Sequence, residues 1–484
     1  MERHVIYGPP GTGKSTEIIR RVKEYVNSDH FKPEEIGLCS YTKAAATVLK
    51  ERCNIDSKWV GTLHSLAFKL SKCIYSQTIN HRKLKEFSKL SGIAFTGANP
   101  DEAEQELSNG DYYLALYGFH HASLGKEYMN TYDCSDRPGC RDEFKFFVDA
   151  YTAWKKSTGF IDFNDMLIKA LHSDNPPIEV LFIDEAQDLS PLQWALVNRW
   201  SQTIPIIHIA GDDDQAIYQW AGADPKGMLY FEKKHDAKRT ILNQSFRIPV
   251  EIHKKASDVI SNVSERVDKE YKPKEAKGNI EYYSGIECIV DLEPDEDVLI
   301  LYRNHSLRED VEDFLISKGY PYITDNGKPG LCQGWYWKLL TLFNRIKKVG
   351  VDNYGLTSEE NKILVQGLHE HLIKKLGTSK AKDIFECPWQ EVLNIPADKR
   401  LYFEQIECNH TDFNIKPTIH LSTIHGSKGR EADRIILMNG LGSLSAQKFY
   451  SGDTDGEARV FYVAVTRAKK RLDIVQADNS IGWL

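Results

Sequence analysis

At 484 residues the chain is long enough for about two to four domains and more than one hydrophobic core. Its 41% hydrophobic and 27% charged residues are those of an ordinary soluble globular protein. A net charge of −7 excludes a protein that coats nucleic acid by charge alone, so any nucleic-acid contact must be a local groove of aromatics with a few cations or hydroxyls, as suits a single strand.

In chain order, the opening M-E-R-H-V-I-Y-G carries no long apolar run, and no stretch of about 18 apolar residues follows anywhere, so no signal peptide or membrane partner is expected. Nine cysteines, an odd number scattered from Cys39 to Cys408, fit reduced thiols in a cytoplasmic protein. His4 to Tyr7 reads as a strand running into G-P-P-G-T-G-K-S, with helical periodicity from Thr16 to Val26. A second strand, Ile36 to Tyr41, precedes a helix from Lys43 to Arg52. Residues 71–160 are richer in helix formers and aromatics, with turn signals at Asn99-Pro100 and Arg137-Pro138-Gly139, and read as a mostly helical insertion. His120, His121, Cys134 and Cys140 within it match no zinc spacing, so no structural metal is assigned. Val180 to Ile183 and Ile206 to Ile209 are apolar runs of buried parallel-strand type.

A second α/β unit follows, with candidate strands Thr240–Leu242, Val298–Tyr302, Thr418–Ser422, Arg434–Met438 and Arg471–Val475. Its helices fit Pro249–Ile260, Leu307–Lys318 and Ala458–Lys469, and a second insertion spans 331–415. This alternation predicts an α/β fold built on largely parallel sheets. The expected division is 1–70 with 161–245, and 246–330 with 416–484, each pair interrupted by its insertion.

Gly8 to Ser15 matches G-x-x-x-x-G-K-S, whose glycines let backbone amides wrap phosphates at a helix N-terminus. Lys14 would reach the β and γ phosphates and the Ser15 hydroxyl would bind Mg²⁺. V-L-F-I-D-E-A-Q-D, an apolar strand ending in carboxylates, offers Asp184 to Mg²⁺, directly or through water, and Glu185 as the base that deprotonates water. Gly211 to Gly222 reads G-D-D-D-Q-A-I-Y-Q-W-A-G. Its carboxylates and amide can sense a terminal phosphate, and Tyr218 and Trp220 offer faces for stacking bases; the other reading is an acidic turn followed by two core aromatics. Arg247 in L-N-Q-S-F-R and Arg467 in F-Y-V-A-V-T-R-A-K are candidate fingers on the γ phosphate, although a lone arginine is more often a solvated ion-pair partner.

Taken together, G-P-P-G-T-G-K-S, S-Y-T-K-A-A-A-T-V-L-K-E-R, V-G-T-L-H-S-L, D-F-N-D-M-L, F-I-D-E-A-Q-D, G-D-D-D-Q-A-I-Y-Q-W-A-G, Q-S-F-R, T-I-H-G-S-K-G-R-E and F-Y-V-A-V-T-R-A resemble, in order, the motifs of UvrD/Rep/PcrA-type superfamily 1 DNA helicases. The resemblance runs from Gly8 to Ala468. It implies two RecA-like parallel-sheet domains with a mostly helical insertion in each, ATP and Mg²⁺ as cofactors, and 3′ to 5′ movement on single-stranded DNA in replication, repair or recombination. Single-stranded DNA and its junctions with duplex are the implied substrates, with single-strand-binding or replication proteins as candidate partners.

By resemblance, Gly8, Pro9, Pro10, Gly11, Thr12, Gly13, Lys14, Ser15 and Thr16 hold the nucleotide, with Ser15 and Asp184 on the metal. Glu185 falls on the catalytic base, Gln215 on the γ-phosphate sensor, and Arg247 and Arg467 on the two fingers. Phe246 sits where an aromatic stacks on the base, and Glu431 where the ribose is contacted. Tyr41, Thr62, His64, Tyr218, Trp220 and His425 match the single-strand path.

The sequence departs from the family's pattern at three places. Only Met1 to Tyr7 precede Gly8, where the family carries a glutamine-containing segment that reads adenine, so weaker discrimination among nucleoside triphosphates is expected. The usual Trp-Arg-Gly is Trp220-Ala221-Gly222, one cation fewer beside the strand. In the family a strand-separating hairpin follows the motif at Arg467, and with only Asp478 to Leu484 beyond the last strand it is expected to be shortened or absent. Alternatives are therefore a translocase that strips proteins from single strands and unwinds poorly, and a nucleotide-switched binding protein that hydrolyses slowly.

Overall fold

The computed structural model describes residues 1–28, 30–97, 108–133, 135, 140–289, 291–293, 296–324, 330–351, 353–376, 381–410, 413, 415–452, 454–477 and 479–484. The turn signals at 99–100 and 137–139, and Cys134, lie outside the described residues. Two compact units are present: Met1–Lys277 with Gly452–Thr466, and Gly278–Ser451 with Arg467–Leu484.

The first unit is built on six strands: β1 (Glu2–Tyr7), β2 (Ile36–Ser40), β3 (Val60–Thr62), β4 (Val180–Ile183), β5 (Ile206–Gly211) and β6 (Lys238–Ile241). They form one sheet in the order β3-β2-β4-β5-β1-β6, and every pairing is parallel. Parallel pairing forces each connection to cross over a face and bury it. The continuous apolar runs of β2 and β4 obey this rule, since every residue in both is buried. Apolar side chains fill both faces, Val5, Leu181 and Ile209 on one and Ile6, Leu38, Val180 and Phe182 on the other. The helical insertion has a core of its own, in which Phe87, Tyr113, Phe144, Phe147, Tyr151 and Trp154 pack together.

The second unit repeats the plan with β7 (Asn279–Tyr283), β8 (Val298–Tyr302), β9 (Tyr322–Thr324), β10 (Ile419–Thr423), β11 (Ala432–Asn439) and β12 (Ala468–Gln476). Their order is β7-β12-β11-β8-β10-β9, again parallel throughout. Here the inserted helices share the sheet's core: Leu339, Phe343, Trp389 and Phe403 pack in one cluster with Val298, Ile300, Leu421 and Ile436. The expected α/β class with two parallel sheets is what the chain forms.

The strand near Thr240, inside the expected 161–245 division though grouped with the later strands, pairs with β1 in the first sheet. Residues 246–277 fall with the first compact unit. One local expectation is corrected. The helix expected to reach Lys469 spans Asp455–Val465 and stops there, because Ala468 already pairs with Ala432 as the start of β12. The strands not anticipated, β3, β7 and β9, all lie at sheet edges; two are three residues long and the third is largely exposed, so none carries an apolar run.

Candidate nucleotide and single-strand site

All strands of a parallel sheet end on the same edge, and ligands of open α/β sheets bind beyond the carboxyl ends. In the first unit every strand delivers a motif there. β1 runs into Gly8, β2 into Tyr41, β3 ends at Thr62, β4 runs into Asp184, β5 into Asp212, and β6 leads to Ser245-Phe246-Arg247.

The phosphate loop opens the helix Lys14–Asn27, with Gly11 at φ 72° and Gly13 at φ 83°. Both angles lie in the left-handed region that glycine enters without steric cost. A Cβ at Gly8 would sit 2.0 Å from Lys14 Cγ, so the loop closes on its own lysine. Lys14 Nζ donates to Gly8 O at 3.2 Å and lies 3.9 Å from Glu185 Oε1. Ser15 Oγ donates to Asp184 Oδ2 at 3.4 Å. Asp184 is buried, and burial, then the neighbouring Glu185 charge, pushes its carboxyl up to about 7. A cation at this point would oppose both effects. Among the described residues no group of three or more His, Cys, Asp or Glu could hold a metal by itself. A hydroxyl and a carboxylate side by side suit Mg²⁺, which keeps waters and takes phosphate oxygens as its other ligands.

Glu185 has φ 53° and ψ 40°, a left-handed conformation that costs a non-glycine residue on the order of 1 kcal/mol and is concentrated at functional sites. From there the site extends through Gln187, which was given no role from sequence, to the carboxylates of the Gly211–Gly222 loop. Gln187, fully buried, donates from Nε2 to Glu185 Oε2 at 2.5 Å and accepts from the Asp212 amide at 3.0 Å. Asp212 Oδ2 in turn accepts from Gln215 Nε2 at 2.7 Å. The Phe246 amide donates to Gly11 O at 2.9 Å and Ser245 Oγ to Pro10 O at 2.9 Å, which fastens the Q-S-F-R segment to the phosphate loop. A Cβ at Gly11 would approach Arg247 Cβ to 2.5 Å. The Phe246 ring is 74% exposed beside this loop. Lys14, Ser15, Asp184, Glu185, Gln215, Phe246 and Arg247 are thus brought to one edge of one unit.

Aromatics gather along the same edge. Tyr41 stacks on Tyr218, centroids 5.1 Å apart at 18°, and Trp220 stands at 6.2 Å and 68° to Tyr218. Trp220 is only half-buried, but its indole nitrogen is enclosed. Thr62 caps the helix Leu63–Leu70 by accepting from the Ser65 amide at 3.2 Å, so its oxygen already has a structural task. His64 meets Phe163 edge-on at 5.7 Å. Burial lowers the His64 imidazole to about 4, which leaves it neutral at pH 7. Phe163, 61% exposed at the first position of the helix Phe163–Leu171, was not singled out from sequence. It stood within D-F-N-D-M-L, but its exposure could not be read there.

In the second unit Glu431 and Arg467 immediately precede the paired residues Ala432 and Ala468. Arg467 Nη1 donates to Arg430 O at 3.4 Å. His425 follows the carboxyl end of β10, in a turn closed by Thr423. The sheet register places β10's carboxyl end and β11's amino end at opposite ends of β8, so His425 is not grouped with Glu431 and Arg467.

Sequence comparison agrees with this architecture. The model of the UvrD/REP helicase N-terminal domain matches residues 2–236, and that of the UvrD-like helicase C-terminal domain matches residues 392–479. The chain belongs to the UvrD/Rep helicase family. The "ATP-dependent DNA helicase Rep" of Buchnera aphidicola subsp. Schizaphis graminum is 24% identical to it over 66% of this chain and 53% of its own length. The "ATP-dependent DNA helicase PcrA" of Bacillus subtilis is 24% identical over 64% of this chain and 47% of its own length. "DNA helicase II" of Haemophilus influenzae is 23% identical over 66% and 49%. The chain spans about half the length of the curated relatives it matches. Among the described residues no helix is long and apolar enough to cross a membrane.

Proposed function

We propose that the chain is an ATP-dependent motor that moves 3′ to 5′ on single-stranded DNA and opens duplex at its junctions, in replication, repair or recombination. One observation carries the reading: the Gly211–Gly222 loop leaves the sheet edge at the phosphate-site groups and ends in the Tyr41–Tyr218–Trp220 cluster. Nucleotide state and strand grip are thereby read by a single short segment.

In this mechanism the phosphate loop amides and Lys14 hold the triphosphate, and Ser15 and Asp184 hold Mg²⁺, which would neutralise phosphate charge. Glu185 takes the proton of the attacking water, Gln215 contacts the terminal phosphate and Arg247 stabilises the charge that develops there. Phe246 stacks on the base. Tyr41, His64, Tyr218 and Trp220 line the strand, with Phe163 added on its exposure and Thr62 through its helix terminus. Stacking at about 1 to 3 kcal/mol per base grips a strand and still releases it at each step. For the second unit the proposal takes its roles from the motifs: Arg467 as a phosphate-directed arginine, Glu431 on the ribose and His425 on the strand.

The second reading is a translocase that displaces bound proteins and unwinds weakly. Single-turnover unwinding of duplexes with a 3′ or a 5′ single-stranded tail, run beside displacement of a protein from the same tail, tests both. Unwinding from the 3′ tail alone is expected. Displacement without unwinding would favour the translocase, and activity from the 5′ tail alone would defeat the polarity.

A further inference from the structure

Three consecutive carboxylates, Asp212, Asp213 and Asp214, are buried in the loop that carries Gln215. Buried carboxylates without cations are costly enough to be protonated or to unfold their surroundings. Lys269, outside every motif, meets all three. Its Nζ lies 3.0 Å from Asp212 Oδ1 and 3.0 Å from Asp214 Oδ2, and in closer contact with Asp213. The Lys269 side chain is 1% exposed. Arg266 grips Asp214 through two bonds of 2.8 and 2.6 Å, and the Val267 amide donates to Asp213 Oδ2 at 2.8 Å. Arg459 completes the balance of three anions and three cations, donating to Asp213 O at 3.1 Å and Glu265 O at 3.0 Å.

Asp212 is shared between this cluster and the phosphate site. One carboxylate oxygen faces Lys269 and the other accepts from Gln215 Nε2 at 2.7 Å. Its amide reaches Gln187, and through Gln187 the base Glu185. We propose that Lys269, supported by Arg266, is a positioning residue for hydrolysis: through Asp212 it holds the sensor Gln215 and the base Glu185 in one register. The inference rests on the reading of this unit as a nucleotide hydrolase. Displacing a catalytic group by about 1 Å costs on the order of 10²-fold in rate, so a cation that fixes Asp212 acts on turnover without touching nucleotide.

The test is steady-state nucleotide hydrolysis by the full chain with saturating single-stranded DNA, with kcat normalised to sites titrated by a fluorescent ATP analogue. Lys269→Met is expected to lower kcat by about tenfold or more while KM and analogue affinity change less than about twofold, the signature of an interaction made only in the transition state. Lys269→Arg, which keeps the cation, should recover part of the loss. Because Lys269→Met leaves an unbalanced buried charge, the pair Lys269→Met with Asp213→Asn restores neutrality and should melt close to the unmodified chain yet keep the kcat defect. An unchanged kcat per titrated site in a folded variant overturns the proposal, as does a defect that only follows the number of folded sites. Absence of turnover in the unmodified chain overturns the hydrolase reading together with it.

Discussion

Phe246 combines a backbone fastened to the phosphate loop with a ring that packs on little, being 74% exposed. Its removal should therefore separate binding from folding. Phe246→Ala is expected to weaken nucleotide affinity by about tenfold, within the 1 to 3 kcal/mol range of base stacking, with an unchanged melting temperature; fluorescent-nucleotide titration beside a thermal melt checks both. Gly11 should behave in the opposite way. Its φ of 72° and the Arg247 and Ser245 side chains that a Cβ would meet at 2.5 and 2.8 Å leave no room for alanine. Gly11→Ala is expected to destabilise the first unit by about 1 to 3 kcal/mol and to abolish nucleotide binding, measured by the same pair of experiments. Trp220→Ala should keep nucleotide binding and lose stimulation of hydrolysis by single-stranded DNA.

Among the helices, the first insertion is tied to the rest of its unit by charge as well as by apolar packing. Lys155 on the helix Arg141–Thr158 reaches Asp162 at 2.6 Å and Asp165 at 2.7 Å, the two residues that form the capping box of the next helix. Burial alone would depress this ammonium, and the two carboxylates reverse the effect and hold it charged. Lys155→Met should cost about 3 to 5 kcal/mol by stranding those carboxylates, read from denaturant unfolding. Asp111, buried in the first turn of the helix Asn109–Ala122, accepts from Thr96, Gly97 and Ser108. Burial would raise its carboxyl, but these bonds outweigh burial and leave it below the ordinary carboxylate value. A depressed carboxylate contributes stability that is fully present above the unfolded value of about 3.9 and is lost as pH falls through the folded value. Asp111→Asn is therefore expected to be less stable by about 1 to 3 kcal/mol at pH 7, and the gap should close below about pH 3 in paired melts.

Over the molecule, a net charge of −7 and the alanine at 221 mean that, in the proposed strand grip, aromatic faces would do most of the holding. Single-strand binding should then depend weakly on salt. Each phosphate neutralised adds about 0.7 to the slope of log affinity against log salt for a single strand, so a slope of about 2 or less is expected. Fluorescence anisotropy of a labelled oligonucleotide across a salt series checks it, and a steep slope would show that cations grip the strand instead.

Much of this protein was legible in contiguous letters. Gly8 to Ser15, Asp184-Glu185 and Gln215 stand out because the phosphate wrapping, metal ligation and water activation proposed for them need fixed residue types at fixed short spacings. The buried parallel strands declare themselves because both faces are covered and most of their residues must be apolar. What stayed hidden depended on partners far along the chain. Lys269 and Asp213 are 56 residues apart, and no local pattern marks the lysine as buried rather than solvated. The exposure of Phe163, the pairing of β6 with β1 and the packing of residues 246–277 in the first unit likewise follow from which surfaces meet. Short-range chemistry is written in the order of residues, whereas burial and long-range charge balance exist only once the chain has folded.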